Sequence, residues 1–443
     1  MFKNKKIFVL GMARSGYEVC RLLSKYNNTI LVTDKKEQDQ NHIMELNNLG
    51  INFINTDDPL ELLDKSFDIV VKNPGIRYDH PLILKAKELG IKVVNEVEVA
   101  YHFLPEDVYI ITVTGSNGKT TTTTLIYEFI KAMKKDVHLG GNIGYPLSSL
   151  VKEVKSGDVL VLEISAQQLH DMYDFKSNVS VLTNLTEVHL DFFGDYDNYI
   201  KHKLKIFNHH TNSDIAIINK TNKDSYDACK KIKSKKIYFS SLEECDACIK
   251  DNSIYYNQEK IIDLSDIRVK GNHNYENIMC AIIATKTLGI SNDTIKEVLS
   301  KFTGVEHRIE FVKKVNGREF YNDSKATNVK STITALSSFK SPVILLLGGL
   351  DRGHSFEDLR PYLSYVSHIV CYGETKERIK EFALSCNIDC TVVENLEEAC
   401  RLAYNISNEG DTILLSPACA SWDQFEGYEK RGKLFKEVVE NLD

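Results

Sequence analysis

V-T-G-S-N-G-K-T-T, residues 113–121, lies between two segments of different periodicity. Before it, residues 108–113 (V-Y-I-I-T-V) are β-branched and aromatic, the composition of a short strand. After it, residues 120–133 space their apolar side chains as a helix does. The glycines therefore fall on a strand-to-helix turn. Gly115 and Gly118 permit backbone angles that aim successive N–H groups at one point, Lys119 adds a mobile charge, and Thr120 offers a hydroxyl to Mg²⁺ at a helix N-terminus. This is the setting of a phosphate-binding loop. Two residues, not four, separate its glycines, so the loop is a shorter variant of the Walker A spacing. The plainer alternative, a glycine turn carrying a surface lysine, leaves the flanking strand and helix unexplained.

The chain has 443 residues, and at about 150 residues per domain that length implies three domains. It is 42% hydrophobic and 26% charged, an ordinary globular composition. Fifty-five Lys plus Arg against 62 Asp plus Glu give a net charge of -7, which argues against nucleic-acid or acidic-membrane binding. Anionic ligands must then be held by local groups. No apolar run approaches the ~18 residues of a membrane helix, and residues 3–10 are too short an apolar segment for a signal peptide, so a cytoplasmic protein without membrane insertion is expected. The ten cysteines are expected to stay reduced. Cys245 and Cys248 form a C-x-x-C pair, but the nearest second pair, Cys386 and Cys390, has a looser spacing and lies far along the chain, which disfavours zinc there.

A β-α-β unit opens the chain: strand 6–10, turn G-M-A-R-S-G at 11–16, a helix to about Tyr26, and strand 29–33 ending at Asp34. Ala13 stands where G-x-G-x-x-G has its middle glycine, which disfavours a dinucleotide. A strand at 68–71 runs into N-P-G-I at 73–76, a turn signal, and the domain is expected to close near residue 97. In the central region, strand 159–162 ends in Glu163, and strand 179–182 leads into T-N-L-T-E-V-H-L-D. Open α/β sheets bind ligands at the carboxyl ends of their strands, so Glu163, Asn184 and His189 are candidate site residues, although a strand-end carboxylate is often only a helix cap. Residues 220–270 read as a small appended sheet. Residues 304–310 (G-V-E-H-R-I-E) read as a linker into a third α/β unit with strands at 320–321, 343–347, 369–371 and 412–415. S-P-A-C-A-S-W-D-Q-F, from Ser416, reads either as a plain helix start or as a helix N-terminus suited to a carboxylate. A phosphate loop in one domain and N-D-S-K-A-T-N at 322–328 in another suggest ATP used on a second substrate, with Lys325 either a working cation or a solvated loop lysine.

T-G-S-N-G-K-T-T, E-I-S, N-L-T-E-V-H-L-D, K-L-K-I-F, G-N-H-N-x-x-N, H-R-I-E, N-D-S-K-A-T-N, L-L-L-G-G and L-L-S-P-A-C-A-S-W-D-Q-F occur here in the order found in the Mur ligases, and the chain resembles that family over essentially its whole length. The pairing of N-D-S-K-A-T-N with S-P-A-C-A-S resembles the branch that adds D-glutamate; siblings that add other amino acids carry His- or Asn-containing motifs at Asp323, Ser324 and Lys325.

The resemblance implies an α/β fold of three domains. Residues 1–97 would be a Rossmann-like UDP-substrate-binding domain, 98–303 a P-loop ATPase-like ATP-binding domain with the small appended sheet, and 304–443 a Rossmann-like amino-acid-binding domain. Arg14, Ser15, Asp34, Lys35, Lys36, Asn73, Gly75, Asn142 and Ser165 would meet UDP-N-acetylmuramoyl-L-alanine. Gly115, Ser116, Asn117, Gly118, Lys119, Thr120 and Thr121 would cradle ATP, with Asn274 and Asn277 at the adenine, Arg308 at the phosphates and Asp323 at the ribose. Thr120 and Glu163 would hold one Mg²⁺; Glu163, His189 and a carbamylated Lys203 would hold a second. Lys325, Thr327, Arg352, Ser421, Trp422 and Tyr428 would surround D-glutamate. A monomer is expected.

Two departures stand out. The family's S-S-F-Q-L is here Ser165, Ala166, Gln167, Gln168, Leu169, which removes one hydroxyl and one aromatic near the substrate phosphates. Arg352 stands near where some members place a glutamate-binding lysine.

The implied reaction forms an acyl phosphate on the L-alanine carboxylate and then an amide with D-glutamate. Lys119, Lys325 and two Mg²⁺ would offset the negative charge gathered in both steps, with His189 a metal ligand and not a base. Lys203 outside the resemblance reads as a solvated lysine beside Lys201 and Lys205. Three rivals remain distinguishable: a folylpolyglutamate synthetase, which would need a pterin site in place of the first domain; a nucleotide-regulated binding module, which would not need Glu163, His189 and Lys325 together; and a dinucleotide oxidoreductase, which Ala13 disfavours.

Overall fold

Apolar runs such as I-V-V-K at Ile69–Lys72 and V-L-V-L-E at Val159–Glu163 are buried from end to end. Strands of that kind need cover on both faces, as in a parallel sheet flanked by helices. The computed structural model, which describes residues 1–188 and 190–442, folds as two units, Met1–Phe302 and Thr303–Asp443.

The first unit holds two sheets. One comprises β1 (Lys6–Leu10), β2 (Thr29–Asp34), β3 (Asn52–Asn55), β4 (Ile69–Lys72) and β5 (Lys92–Val94), all parallel, in the order β3-β2-β1-β4-β5. Winding reverses between β1 and β4, which brings the turn after β1 beside the N-P-G-I turn after β4. The other sheet comprises β6 (Tyr109–Thr114), β7 (Val137–Gly141), β8 (Val159–Glu163), β9 (Val179–Leu182), β10 (Ile215–Asn219), β11 (Lys235–Ser240), β12 (Ala247–Lys250), β13 (Ser253–Tyr256) and β14 (Glu259–Asp263). Its order is β14-β13-β12-β11-β10-β9-β6-β8-β7, so β6 lies between β9 and β8. Helices Lys119–Ala132 and Asn272–Lys286 cover it with Ile126, Phe129, Ile278 and Ile282.

The segment read as a small appended sheet is joined to this one. β10 and β11 extend it in parallel, and only the hairpins β12–β13 and β13–β14 turn antiparallel at its edge.

The second unit has β15 (Glu310–Val315), β16 (Arg318–Asn322), β17 (Val343–Gly348), β18 (Val366–Tyr372), β19 (Asp389–Val392) and β20 (Thr412–Leu415), in the order β15-β16-β20-β17-β18-β19 with β15 alone antiparallel. Residues 304–310 are not a free linker. His307 is buried, its backbone carbonyl accepts from the Lys325 N–H at 3.0 Å, and Glu310 begins β15. Nor does S-P-A-C-A-S-W-D-Q-F start a helix: the chain after β20 turns through irregular backbone, and the next helix begins at Tyr428. Ala418 sits there at φ +56°, a left-handed conformation that breaks helical continuation.

Candidate active site

The phosphate loop connects β6 to the helix Lys119–Ala132. Gly115 and Gly118 have φ of +147° and +78°. A Cβ on Gly115 would lie 1.8 Å from Thr183 Oγ1, and one on Gly118 would lie 2.2 Å from Asn277 Oδ1, so both angle and space demand glycine. The residues after β9 brace the loop. Asn184 receives the Ser116 N–H on its backbone oxygen at 2.9 Å and the Asn117 N–H on its Oδ1 at 3.0 Å, while Thr183 Oγ1 donates to the Asn117 carbonyl at 2.6 Å. Asn184, a candidate ligand residue, thus supports the loop. Lys119 folds back, its Nζ donating to the carbonyls of Gly115 (2.9 Å) and Ser116 (2.8 Å). Thr120 is buried at the helix start, with Thr121 following. Asn277 sits on Gly118, and its Oδ1 accepts from Thr122 Oγ1 at 3.3 Å; Asn274 Nδ2 donates to the Lys270 carbonyl at 2.9 Å.

Glu163 ends β8, in register with Val113 of β6 and Gly141 of β7. It is 1% exposed. Its Oε1 accepts from Asn142 Nδ2 at 2.7 Å, and its Oε2 has no hydrogen-bond partner among the described residues. A buried carboxylate oxygen without a donor is costly unless a cation meets it, and hard oxygen donors are what Mg²⁺ takes. The donor set therefore fits that ion. His189 lies outside the described residues.

Lys203 comes from the helix Tyr196–Leu204 and is 2% exposed, which rules out the solvated reading. Its Nζ donates to Gly115 O at 2.6 Å and Thr114 Oγ1 at 3.0 Å, so Lys119 and Lys203 share one loop carbonyl. Burial, with the charge of Lys119 adding to it, holds the Lys203 ammonium well below the usual lysine range against the opposing pull of Glu163.

In the first sheet, Asp34 at the end of β2 accepts the N–H of Met12 (2.8 Å) and of Lys36 (2.9 Å), and Asn73 Nδ2 donates to Ser15 Oγ at 3.2 Å while Asn73 Oδ1 accepts the Gly75 N–H. The predicted substrate residues Arg14, Ser15, Asp34, Lys35, Lys36, Asn73 and Gly75 thus gather at the ends of β1, β2 and β4, and the Arg14 guanidinium lies 5.1 Å from the ring of Tyr145. Ser165 caps the helix Ala166–His170 in a capping box with Gln168, so Gln168 does local structural work in the altered motif. Sequence reasoning missed Lys72, a wholly buried cation that pairs with Asp171 Oδ2 at 2.8 Å and donates to the Ile76 carbonyl. As a single lysine ending an apolar run it carried no signal.

In the second unit, Asp323, Lys325 and Thr327 follow β16, Arg352 follows β17, and Ser421 and Trp422 follow β20, three adjacent strands. Asp323 is buried, accepting from Ser416 Oγ (2.7 Å) and the Ile309 N–H (3.2 Å), and burial pushes its carboxyl up to about 7 against the pull of exposed Arg308. Lys325 Nζ lies 5.7 Å from the Tyr428 ring centroid, and the Arg352 guanidinium 4.8 Å from that of exposed Trp422. Beneath them lies Arg431, also missed. It is fully buried, with Nε on Ser324 Oγ (3.0 Å) and Nη2 on the carbonyls of Ser324 (2.9 Å) and Cys419 (3.0 Å), tying the loop after β16 to the loop after β20. Within K-R-G-K, one charge among several, it carried no signal.

Three family models match in order: "Mur ligase MurD-like, N-terminal domain" over residues 5–95, "Mur ligase middle domain" over 113–285, and "Mur ligase, glutamate ligase domain" over 307–419. The chain is 43% identical to proteins of Geobacillus kaustophilus and Bacillus cereus named UDP-N-acetylmuramoylalanine–D-glutamate ligase, covering 100% of this chain and 98% of each relative. Among solved structures, UDP-N-acetylmuramate-alanine ligase from Thermotoga maritima shares the fold at TM-score 0.59 and 19% identity, covering 98% of this chain and 99% of that one. MurF from Acinetobacter baumannii does so at 0.58 and 17%, covering 94% and 92%. With its phosphate loop, its strand-end acid and three matched domains in sequence, the chain belongs to the Mur ligase family.

Proposed function

We propose that this chain is the ATP-dependent ligase that joins D-glutamate to UDP-N-acetylmuramoyl-L-alanine in peptidoglycan precursor synthesis. The observation that carries the reading is the 43% identity to D-glutamate ligases across the whole of both chains. Residues 1–97 serve as the UDP-substrate domain, 98–303 as the ATP domain and 304–443 as the amino-acid domain. The enzyme acts as a monomer in the cytoplasm.

A carboxylate is a poor acceptor for an amine. The γ-phosphoryl of ATP therefore passes first to an oxygen of the L-alanine carboxylate, and ADP leaves. The D-glutamate amine then attacks the acyl carbon, the C–O bond to phosphate breaks, and the amine loses a proton. Lys119 turns from its own loop carbonyls to the transferring phosphoryl, and the N–H groups of Gly115–Thr121 hold the β- and γ-phosphates. Asn274 and Asn277 assist at the adenine end, Arg308 at the phosphates and Asp323 at the ribose. Asn142 and Ser165 join the first-sheet residues at the muramoyl substrate. Lys325, Thr327, Arg352, Ser421, Trp422 and Tyr428 hold D-glutamate. Thr120 and Glu163 would hold one Mg²⁺, and Glu163, His189 and Lys203 a second; the ions would neutralise phosphate charge.

Lys203 serves as a carbamate. Burial favours its neutral amine, the form that attacks CO₂, forming an N–C bond and releasing a proton. The product replaces a cation beside Glu163 with an oxygen donor.

The test is phosphate release that requires ATP, UDP-N-acetylmuramoyl-L-alanine and D-glutamate together. Release that proceeds as fast with L-glutamate, or without the UDP-sugar, overturns the reading.

A further inference from the structure

Glu98 is wholly buried, and its Oε2 has no hydrogen-bond partner among the described residues. A carboxylate oxygen stranded from water is costly unless a cation meets it. Its Oε1 accepts the Asp174 backbone N–H at 2.8 Å. One helical turn on, His102 sets Nε2 3.9 Å from that oxygen and 3.3 Å from Asp174 Oδ2. One donor atom from each of the three residues falls within 4.8 Å of the others. Zinc bonds of about 2.0–2.2 Å in a tetrahedron space donors roughly 3.3–3.6 Å apart, a spacing near the 3.9 Å and 3.3 Å that separate His102 from Glu98 and Asp174, and one imidazole with two carboxylates is a zinc-type set.

We propose that Glu98, His102 and Asp174 bind a divalent cation of zinc type, with water completing the shell, at a place distinct from the phosphate loop. The site joins the helix Glu96–Tyr101, which follows β5 of the first sheet, to the turn that leads into β9 of the second, so the ion clasps the two sheets together. The side chains of His102 and Asp174 are 26% and 43% exposed, which leaves an ion a way in. Lys92 Nζ stands 3.6 Å from Asp174 Oδ2 and competes with the ion for that oxygen.

Full-length protein freed of metal with a chelator is titrated with Zn²⁺ alone, without nucleotide, alongside His102→Ala, Asp174→Ala and Lys92→Ala. Wild type is expected to bind one equivalent that the first two variants lose or bind about 100-fold more weakly. Lys92→Ala is expected to bind that equivalent about ten-fold more tightly, because a competing ammonium is gone. Zinc should raise the melting midpoint of wild type and leave that of His102→Ala unmoved, while turnover of all three variants with Mg²⁺ and without zinc stays within about two-fold of wild type, since none contacts substrate. Equal zinc equivalents and affinity in wild type, His102→Ala and Asp174→Ala overturn the site, as does a wild type that binds no zinc or a Lys92→Ala variant that binds it more weakly.

Discussion

Lys203 and Arg431 are both fully buried cations at the carboxyl ends of parallel strands, yet they do opposite work. Lys203 leans on the phosphate loop with one end of a flexible stem, and burial drives it toward the neutral amine. Arg431 spreads its guanidinium donors over a hydroxyl and two carbonyls that belong to separate loops. The first region places a reactive group in a preformed cradle. The second leaves Trp422 and Arg352 at the surface and ties the loop that carries Trp422 to the loop after β16. On the function proposed above, the buried lysine beside an unpartnered carboxylate oxygen would serve the chemistry, and the buried arginine on carbonyls would serve as a rivet.

The sharpest way to break the contrast is at the lysine. Lys203→Ala should lower turnover about 10³-fold with partial rescue by formate or acetate, and Lys119→Ala about 10²-fold or more without rescue. Wild-type rates in either variant would remove that side chain from the chemistry. At the arginine the effect should fall on stability: Arg431→Met should cost the second unit about 2–4 kcal/mol, read from urea unfolding, and raise the KM for D-glutamate. An unchanged unfolding midpoint would show that the rivet holds nothing.

Asp323 supplies a pH readout of the same unit. Its folded carboxyl titrates at about 7 against 3.8 for the free group, so the folded state keeps a proton that the unfolded chain has lost between those values. Its contribution is full below about pH 4 and is lost as pH rises to 7, on the order of 3 kcal/mol. Asp323→Asn should therefore gain stability over wild type at pH 8 and not at pH 4; a difference independent of pH would sink the assignment. The smallest effect belongs to the surface: Arg352→Ala removes a cation–π contact of about 0.5–1 kcal/mol and should raise the D-glutamate KM about five-fold or less, with stability lowered by no more than that contact. A large loss of stability would make Arg352 a second rivet.

The interior strands were legible because their apolar runs are buried on both faces, as at Val159–Glu163 and Thr412–Leu415. β3, β15 and β19 were not, since each lies at a sheet edge where N-F-I-N, E-F-V-K-K-V and D-C-T-V carry too few apolar residues to show a pattern. The phosphate loop was legible through its glycines. Asn184 and Asn277 were read as ligand residues because a sequence motif does not say which way a side chain points, and both turn toward the loop. Outside the family resemblance Lys203 looked solvated beside Lys201 and Lys205, because the burial of its helix face depends on β6, far away in the sequence. Arg431 gave no signal for the same reason.

The dependence of Gly118 on Asn277 has a consequence for synthesis. The loop's residues leave the ribosome early, Thr183 and Asn184 that brace it follow some seventy residues later, and Asn277 emerges only past the middle of the chain. A nascent chain halted before Asn277 holds the loop's letters without its contour. The contour of the loop is therefore complete only once the helix Asn272–Lys286 has docked against it.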